Sequence, residues 1–127
     1  IYNNFLTMER IAELVSMPLT VDAILELHEL TTRDTLDQPG ESGRFRRADE
    51  RVHVSDGEEI MYFPPPAGEL DGRMRALCAF ANGEDDTAYV HPMVRAMLVH
   101  FWLAVDHPFT DGNGRTARAL FYWSALK

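Results

Sequence analysis

Apolar residues recur at helical spacing along most of this chain. Phe5, Met8, Ile11, Ala12 and Val15 mark one face of an amphipathic helix within residues 1–17, and Pro18 ends it. Thr20 stands where an N-cap is wanted, ahead of Ile24, Leu27, His28 and Thr31, so a second helix is expected to about Thr35. A third covers residues 69–81, with Leu70, Met74, Leu77, Cys78 and Ala81 on one face. The fourth covers 92–105, where Pro92 suits the first turn. Val94, Met97, Leu98, Phe101, Trp102 and Val105 are its expected inward residues, and its nearly all-round apolar surface predicts a central place. A last helix starts at about Gly114.

One segment has a different period. Val52 and Val54 alternate with polar neighbours, Asp56-Gly57 offers a favoured hairpin turn, and Ile60 to Phe63 return before Pro64-Pro65-Pro66. An isolated two-stranded hairpin is marginal in water, so a hairpin at 52–63 must lean on the rest or serve as a flap. The expected fold class is therefore all-α, or mainly helical, with one β-hairpin. Residues 36–51 are punctuated by Pro39, Gly40 and Gly43 and hold Arg44, Arg46, Arg47 and Arg51. Asp49 and Glu50 are interleaved there, which predicts a solvated, salt-bridged surface rather than an RNA-binding patch.

At 127 residues the chain makes one domain, long enough to bury roughly two-thirds of its unfolded surface. Its net charge of −8 argues against non-specific binding to nucleic acid or to anionic membranes, both of which need a cationic face. The only lysine is the terminal Lys127, which excludes a phosphate-loop lysine or an internal Schiff base. Any bound anion must be held by arginine, backbone N–H groups or a metal. A lone Cys78 rules out an internal disulfide and a cysteine zinc site, consistent with a reducing, cytoplasmic location. The longest apolar stretch, 93–105, contains Arg95 and His100 and is too short for a membrane span, and no signal-peptide pattern begins at Ile1. The chain starts without methionine and stops amid Leu120, Phe121, Trp123 and Leu126, so it reads as a fragment whose regulatory flanks are missing.

Chemistry concentrates at residues 107–118, His-Pro-Phe-Thr-Asp-Gly-Asn-Gly-Arg-Thr-Ala-Arg. Gly112 and Gly114 bracket Asn113 at a helix mouth, where backbone N–H groups and the positive helix end favour an anion. Arg115 and Arg118 are three apart and share a face of the first turns. Cations are unfavourable at a helix N-terminus, a local cost that a bound polyanion would offset. Asp111 is a hard oxygen ligand placed to hold Mg²⁺ beside phosphates, and His107 is near enough to act as a base. An EF-hand register would put His107 and Arg118 at ligand positions and fails. A dinucleotide fingerprint would have to follow a strand, and a Walker loop would need lysine at Arg115.

The same run resembles the Fic (filamentation-induced-by-cAMP) motif, His-x-Phe-x-Asp/Glu-Gly-Asn-Gly-Arg-x-x-Arg, at every defined position from His107 to Arg118. Gly43-Arg44-Phe45-Arg46, the hairpin, the proline run and the His91-Pro92 helix entry are also similar to family elements, so the resemblance covers at least residues 20–127. It implies a Fic/Fido-type helical domain with a hairpin flap. The implied activity is transfer of AMP from ATP to a Tyr, Thr or Ser hydroxyl of a target protein, with release of pyrophosphate. By residue, His107 would be the general base and Asp111 would bind Mg²⁺ bridging the α- and β-phosphates. Asn113 would hold the α-phosphate, with the N–H groups of Gly112 and Gly114 completing the anion hole. Arg115 would contact the β-phosphate and Arg118 the γ-phosphate. Pro108 and Phe109 would bury the loop against the core.

The resemblance further implies a target segment paired along the flap near Val54 and Ile60 to Tyr62. A kinase branch carries lysine at the place of Gly114, so AMP transfer is favoured here; phosphocholine and other donors stay open, as does a catalytically silent nucleotide-binding module. Many members are restrained by a Ser/Thr-x-x-x-Glu-Gly/Asn helix. No such motif occurs here, since Glu9, Glu13, Glu26 and Glu29 lack the neighbours, and its expected place is ahead of residue 1. The resemblance leaves open an inhibitory helix or antitoxin as partner, a homodimer, and removal of AMP. Elsewhere, His28 and His100 read as packed or hydrogen-bonded, His91 as a helix-entry residue, Cys78 as core, and Arg46 as the most significant of its arginine cluster through the family match.

Overall fold

The computed structural model of the chain describes residues 1–50, 54–56, 59–84 and 86–127. Its helices are α1 (Tyr2–Leu14), α2 (Val21–Thr32), α3 (Leu70–Ala81), α4 (Pro92–Asp106) and α5 (Asn113–Leu126). Short 3₁₀ turns lie at Pro39–Glu41 and Ala67–Glu69. Between α2 and α3, strands β1 (Val54–Asp56) and β2 (Glu59–Tyr62) pair antiparallel, with Asp56 opposite Glu59 and a bulge after Val54. Val52, His53 and the Gly57 half of the expected turn lie outside the described residues.

The sequence explains how α2 begins and what α2 and α3 bury. The Thr20 side chain accepts from the Ala23 N–H at 3.1 Å and caps α2. Ala23, Ile24, Leu27, His28 and Thr31 then face inward. The helix ends at Thr32, earlier than the apolar spacing suggests, because Arg33 leaves helical geometry and Asp34 has φ 61°. On α3 the buried residues are those of the predicted stripe, Leu70, Met74, Leu77, Cys78 and Ala81. Burial pushes the Cys78 thiol up to about 11, so it packs as a small apolar group.

Two helices turn differently from their predicted faces. On α1 the buried positions are Thr7, Ile11 and Leu14, while Phe5 and Ala12 are exposed. On α4 the buried positions are Ala96, Val99, Leu103 and Asp106. Val94, Met97, Leu98 and Phe101, expected inward, are 45–65% exposed. A helix apolar all round carries no periodic mark of which side will be covered. The small Ala96 and Val99 on the covered side admit close approach of a neighbouring helix.

The core lies among all five helices, with Ile11, Leu27, Met74, Leu77, Leu103, Phe109, Leu120 and Trp123 essentially inaccessible. Each such side chain contributes about 1.5–3 kcal/mol on burial. Polar clamps join the elements at its edge. Asn82 at the end of α3 pairs with the backbone of Leu19, accepting at 2.7 Å and donating at 2.9 Å. Trp123 Nε1 donates to the Leu14 carbonyl at 3.0 Å, fastening α5 to the end of α1.

Candidate active site

The loop between α4 and α5 is shaped by two residues of left-handed backbone. His107 ends α4 with φ 48° and ψ 58°, and Gly112 opens α5 with φ 85°. Left-handed geometry is costly for a side chain with a Cβ, so His107 needs external restraint. Arg46 supplies it. Its Nε donates to the His107 carbonyl at 2.7 Å, and its Nη2 donates to the carbonyls of Asp106 at 3.2 Å and Pro65 at 2.5 Å. Its backbone N–H donates to the Pro108 carbonyl at 2.9 Å. A buried guanidinium at the C-terminal end of α4 also complements the helix dipole. Arg46 is thus not part of a solvated arginine surface. Its neighbour Arg44 does behave that way, forming a bidentate ion pair with Glu50 at 2.9 and 3.0 Å.

Inside the loop, Phe109 is fully buried against His28 and Phe45. Asn113 fastens it further: its Oδ1 accepts from the Phe109 N–H at 2.9 Å and its Nδ2 donates to the Phe109 carbonyl at 2.8 Å. The Asn113 side chain therefore braces the loop from within. Thr110 Oγ1 donates to Glu41 at 2.6 Å, anchoring the outer side to the 3₁₀ turn. Beneath it, α2 forms a platform. A Cβ on Gly112 would stand 2.4 Å from Thr32 Cγ2 and 3.2 Å from His28 Nε2, so only glycine fits.

At the mouth of α5 the first intrahelical bond runs from the Thr116 N–H to the Gly112 carbonyl. The Gly112 N–H is taken by Asp111 Oδ1 at 2.7 Å. The N–H groups of Asn113, Gly114 and Arg115 have no partner among the described residues and face the helix opening. They border a cleft of about 260 Å³ lined by His107, Thr110, Asp111, Gly114, Arg115 and Arg118. All the site residues predicted from the sequence meet there or in its wall, with Gly112 and Asn113 forming the floor.

The cleft is electrostatically asymmetric. The Asp111 carboxylate is 68% exposed and stands 3.9 Å from Arg115. Arg115 Nη1 is steadied by the end of α2 and the turn after it, through the Thr31 carbonyl at 3.4 Å and Thr35 Oγ1 at 3.0 Å. Arg118 is exposed and makes no hydrogen bond or ion pair with any described residue. Burial pushes the His107 imidazole below its ordinary pKa, and the Arg46 guanidinium acts the same way. A ring hydrogen bond to the Ala104 carbonyl and the Asp111 charge oppose it. The net effect favours a neutral imidazole able to accept a proton. Among the described residues no group of three or more His, Cys, Asp or Glu is placed to hold a metal ion by itself.

The 107–118 run holds the cleft residues, and two of their supports, His28 and Arg46, lie far from it in the chain. His28, expected to be packed or hydrogen-bonded, is both, and its hydrogen bond reaches the loop backbone. Arg46 stood out only through the Gly43-to-Arg46 similarity. A buried arginine in a glycine-punctuated loop is the only local signal, and spacing alone does not identify its partners.

An arginine-flanked helix mouth beside a half-buried imidazole defines the class of protein: a helical domain with an anion-favouring cleft at one helix N-terminus. The particular lineage follows from comparison, for a model of the Fic/DOC family matches residues 18–125, and the chain belongs to that family. It is 38% identical over 105 residues to "Protein adenylyltransferase Fic" of Nematostella vectensis, covering 83% of this chain and 22% of that protein. Identity to the protein of the same name from Drosophila melanogaster is 37% over 102 residues, covering 80% and 19%. The chain thus spans about a fifth of the length of the curated relatives it matches. A Fic domain containing signaling protein from Bacteroides thetaiotaomicron superposes with TM-score 0.75 at 27% identity, over 94% of this chain and 44% of that one. A Fic family protein from Desulfovibrio desulfuricans G20 gives 0.74 at 29% identity, over 96% and 34%. No helix among the described residues is long and apolar enough to cross a membrane.

Proposed function

We propose that this chain is the catalytic part of a protein adenylyltransferase, moving AMP from ATP to a hydroxyl of a target protein. The observation that carries the reading is the set of unpaired N–H groups of Asn113, Gly114 and Arg115 in one cleft with His107, Asp111 and Arg118. The names of the relatives support the same chemistry.

In this reading His107 accepts the proton of the target hydroxyl at its free ring nitrogen. The hydroxyl oxygen bonds to the α-phosphorus as the bond from that phosphorus to the bridging oxygen breaks, and pyrophosphate leaves. Charge gathering on the α-phosphate is met by the N–H groups at the mouth of α5, already oriented by the helix. Asn113 contributes through its backbone N–H, since its amide is committed to Phe109. Arg115, held against α2, contacts the β-phosphate, and the unpaired Arg118 reaches the γ-phosphate.

Asp111 fits a divalent ion shared with phosphates: one exposed carboxylate beside an anion site is the donor set Mg²⁺ takes when substrate oxygens and water supply the rest. When bound, Mg²⁺ would neutralise charge on the phosphates. β1 and β2 serve as a flap that pairs with an extended target segment, giving main-chain recognition.

The test is incubation of the chain with Mg²⁺, ATP and candidate target proteins, followed by mass spectrometry. An added AMP moiety is expected, lost in His107→Ala while that variant still binds ATP. Transfer at an undiminished rate by His107→Ala would overturn the assignment of the base. An adduct of another mass would identify a kinase or another phosphodiester transferase. Absence of any adduct would identify a nucleotide-binding module without turnover.

A further inference from the structure

His28 lies on α2, is wholly inaccessible to solvent, and is 83 residues from Asp111 in the chain. Its Nδ1 accepts from the Gly43 N–H at 3.0 Å. Its Nε2 is 2.8 Å from the Asp111 carbonyl oxygen. A backbone N–H can only donate and a carbonyl can only accept, so these partners assign the protons: Nδ1 bare, Nε2 protonated. The flat of the ring stacks on Phe109, with centroids 3.6 Å apart and planes 2° from parallel. Its edge faces Gly112, where a Cβ would come 3.2 Å from Nε2. One buried ring therefore touches the turn holding Gly43, the floor of the loop at Phe109, and the backbone from which the Asp111 carboxylate projects.

We infer that His28 is a positioning residue for the catalytic loop: as the neutral Nε2–H tautomer it bridges Gly43 to Asp111 and so aims the Asp111 carboxylate and the N–H groups at the mouth of α5. Packing alone does not explain the residue. Phenylalanine would stack on Phe109 as well, yet it would leave the Gly43 N–H and the Asp111 carbonyl unpaired in the interior. The bond to Asp111 locks the peptide at the place where the chain turns into the left-handed Gly112. A small rotation of that peptide swings the carboxylate on one side and the first N–H groups of α5 on the other. Hydrogen-bonded supports of this kind commonly alter affinity or activity by about 10–100-fold when removed.

The significance of the cleft rests on the transfer reading, but the role of His28 is measurable without turnover. Nitrogen NMR of the imidazole in nucleotide-free protein is expected to show a pyridine-type Nδ1 and a pyrrole-type Nε2; a proton on Nδ1 would overturn the inference. His28→Phe keeps the stacking and removes both hydrogen bonds, whereas His28→Gln gives up the ring but keeps a donor toward Asp111. Positioning predicts that His28→Phe shifts the Gly112, Asn113, Gly114 and Arg115 amide resonances and weakens Mg²⁺–ATP binding by about 10–100-fold. His28→Gln should restore both toward the wild-type values. The reverse order, with His28→Phe behaving as wild type and His28→Gln impaired, identifies a packing residue and sinks the proposal. If the wild-type chain fails to bind Mg²⁺–ATP, the transfer reading fails, and the tautomer and amide shifts still decide the role of His28. Should His28→Phe not fold, His28→Gln and the wild-type tautomer decide it.

Discussion

Arg46 Nε donates to the His107 carbonyl oxygen at 2.7 Å, joining residues 61 apart in the chain. Through this bond the loop after α2 holds the candidate base in left-handed backbone while its side chain faces the cleft. The same guanidinium also serves Asp106 and Pro65, which a lysine, with no planar fork, would not do. Arg46→Met is expected to destabilise the fold by about 2–3 kcal/mol, since buried carbonyls lose their donor. Arg46→Lys should recover only part of that loss. In both, turnover should fall more than ATP affinity, because Arg46 supports His107 rather than the arginine side of the cleft. Urea denaturation and single-turnover rates check this; an unchanged rate in a folded Arg46→Met variant would contradict it.

Gly112 and Gly114 should respond in opposite ways. Gly112→Ala forces a Cβ into left-handed backbone, 2.4 Å from Thr32 Cγ2, and is expected to cost at least about 1–3 kcal/mol. Gly114→Ala meets only Arg118 Nη1 at 3.5 Å, and alanine favours the helix by up to about 1 kcal/mol. The Gly114 variant should therefore melt at or above the wild-type temperature while binding nucleotide less well, because its methyl group borders the cleft. Thermal melts paired with ATP titration give the comparison.

Arg118 is exposed and has no partner among the described residues, so removing its charge should leave stability within about 0.5 kcal/mol. A charge-assisted bond to a terminal phosphate contributes about 1.5–3 kcal/mol. Arg118→Ala is accordingly expected to weaken ATP about 10–100-fold and to leave AMP affinity nearly unchanged, since AMP lacks that phosphate. Equal losses for ATP and AMP would place Arg118 elsewhere.

The buried imidazoles set a pH dependence. Burial lowers the pKa of both His28 and His107, so in the folded state they bind protons only below the range near pH 6.5 where unfolded histidines titrate. In that window the unfolded chain holds more protons, so stability rises with pH and is lost on acidification. Transfer should be retained at pH 7 and through the range near pH 6.5 where a free histidine titrates, and decline only below that range as the depressed His107 imidazole takes its proton. Urea titrations and rate profiles from pH 5 to 8 measure both; a rate that rises as pH falls would exclude a neutral-imidazole base.

Much of the framework could be read from local pattern. Thr20 before Ile24 and Leu27 announces the start of α2, and the Leu70-to-Ala81 spacing describes the buried face of α3. The 107–118 run carried the cleft residues in one stretch, because a helix mouth places neighbours in sequence beside one another in space. Less could be read from α4. Its surface is apolar almost all round, and only the docking of the neighbouring helices α3 and α5 selects Ala96, Val99 and Leu103 as the covered side. The supports of the loop were also hidden: Arg46 and His28 reach it across 61 and 83 residues, and no periodicity marks such a pair.

By itself the sequence determined the helical elements, the absence of an internal lysine and the identity of the residues that line one anion-favouring cleft. These depend on short-range spacing and side-chain chemistry, which the chain carries locally. Tertiary structure alone decided which N–H groups remain unpaired, why His107 can hold left-handed backbone, and which way His28 carries its proton. Those outcomes depend on buried donors and acceptors from distant segments having to pair, and only the folded chain brings those partners together.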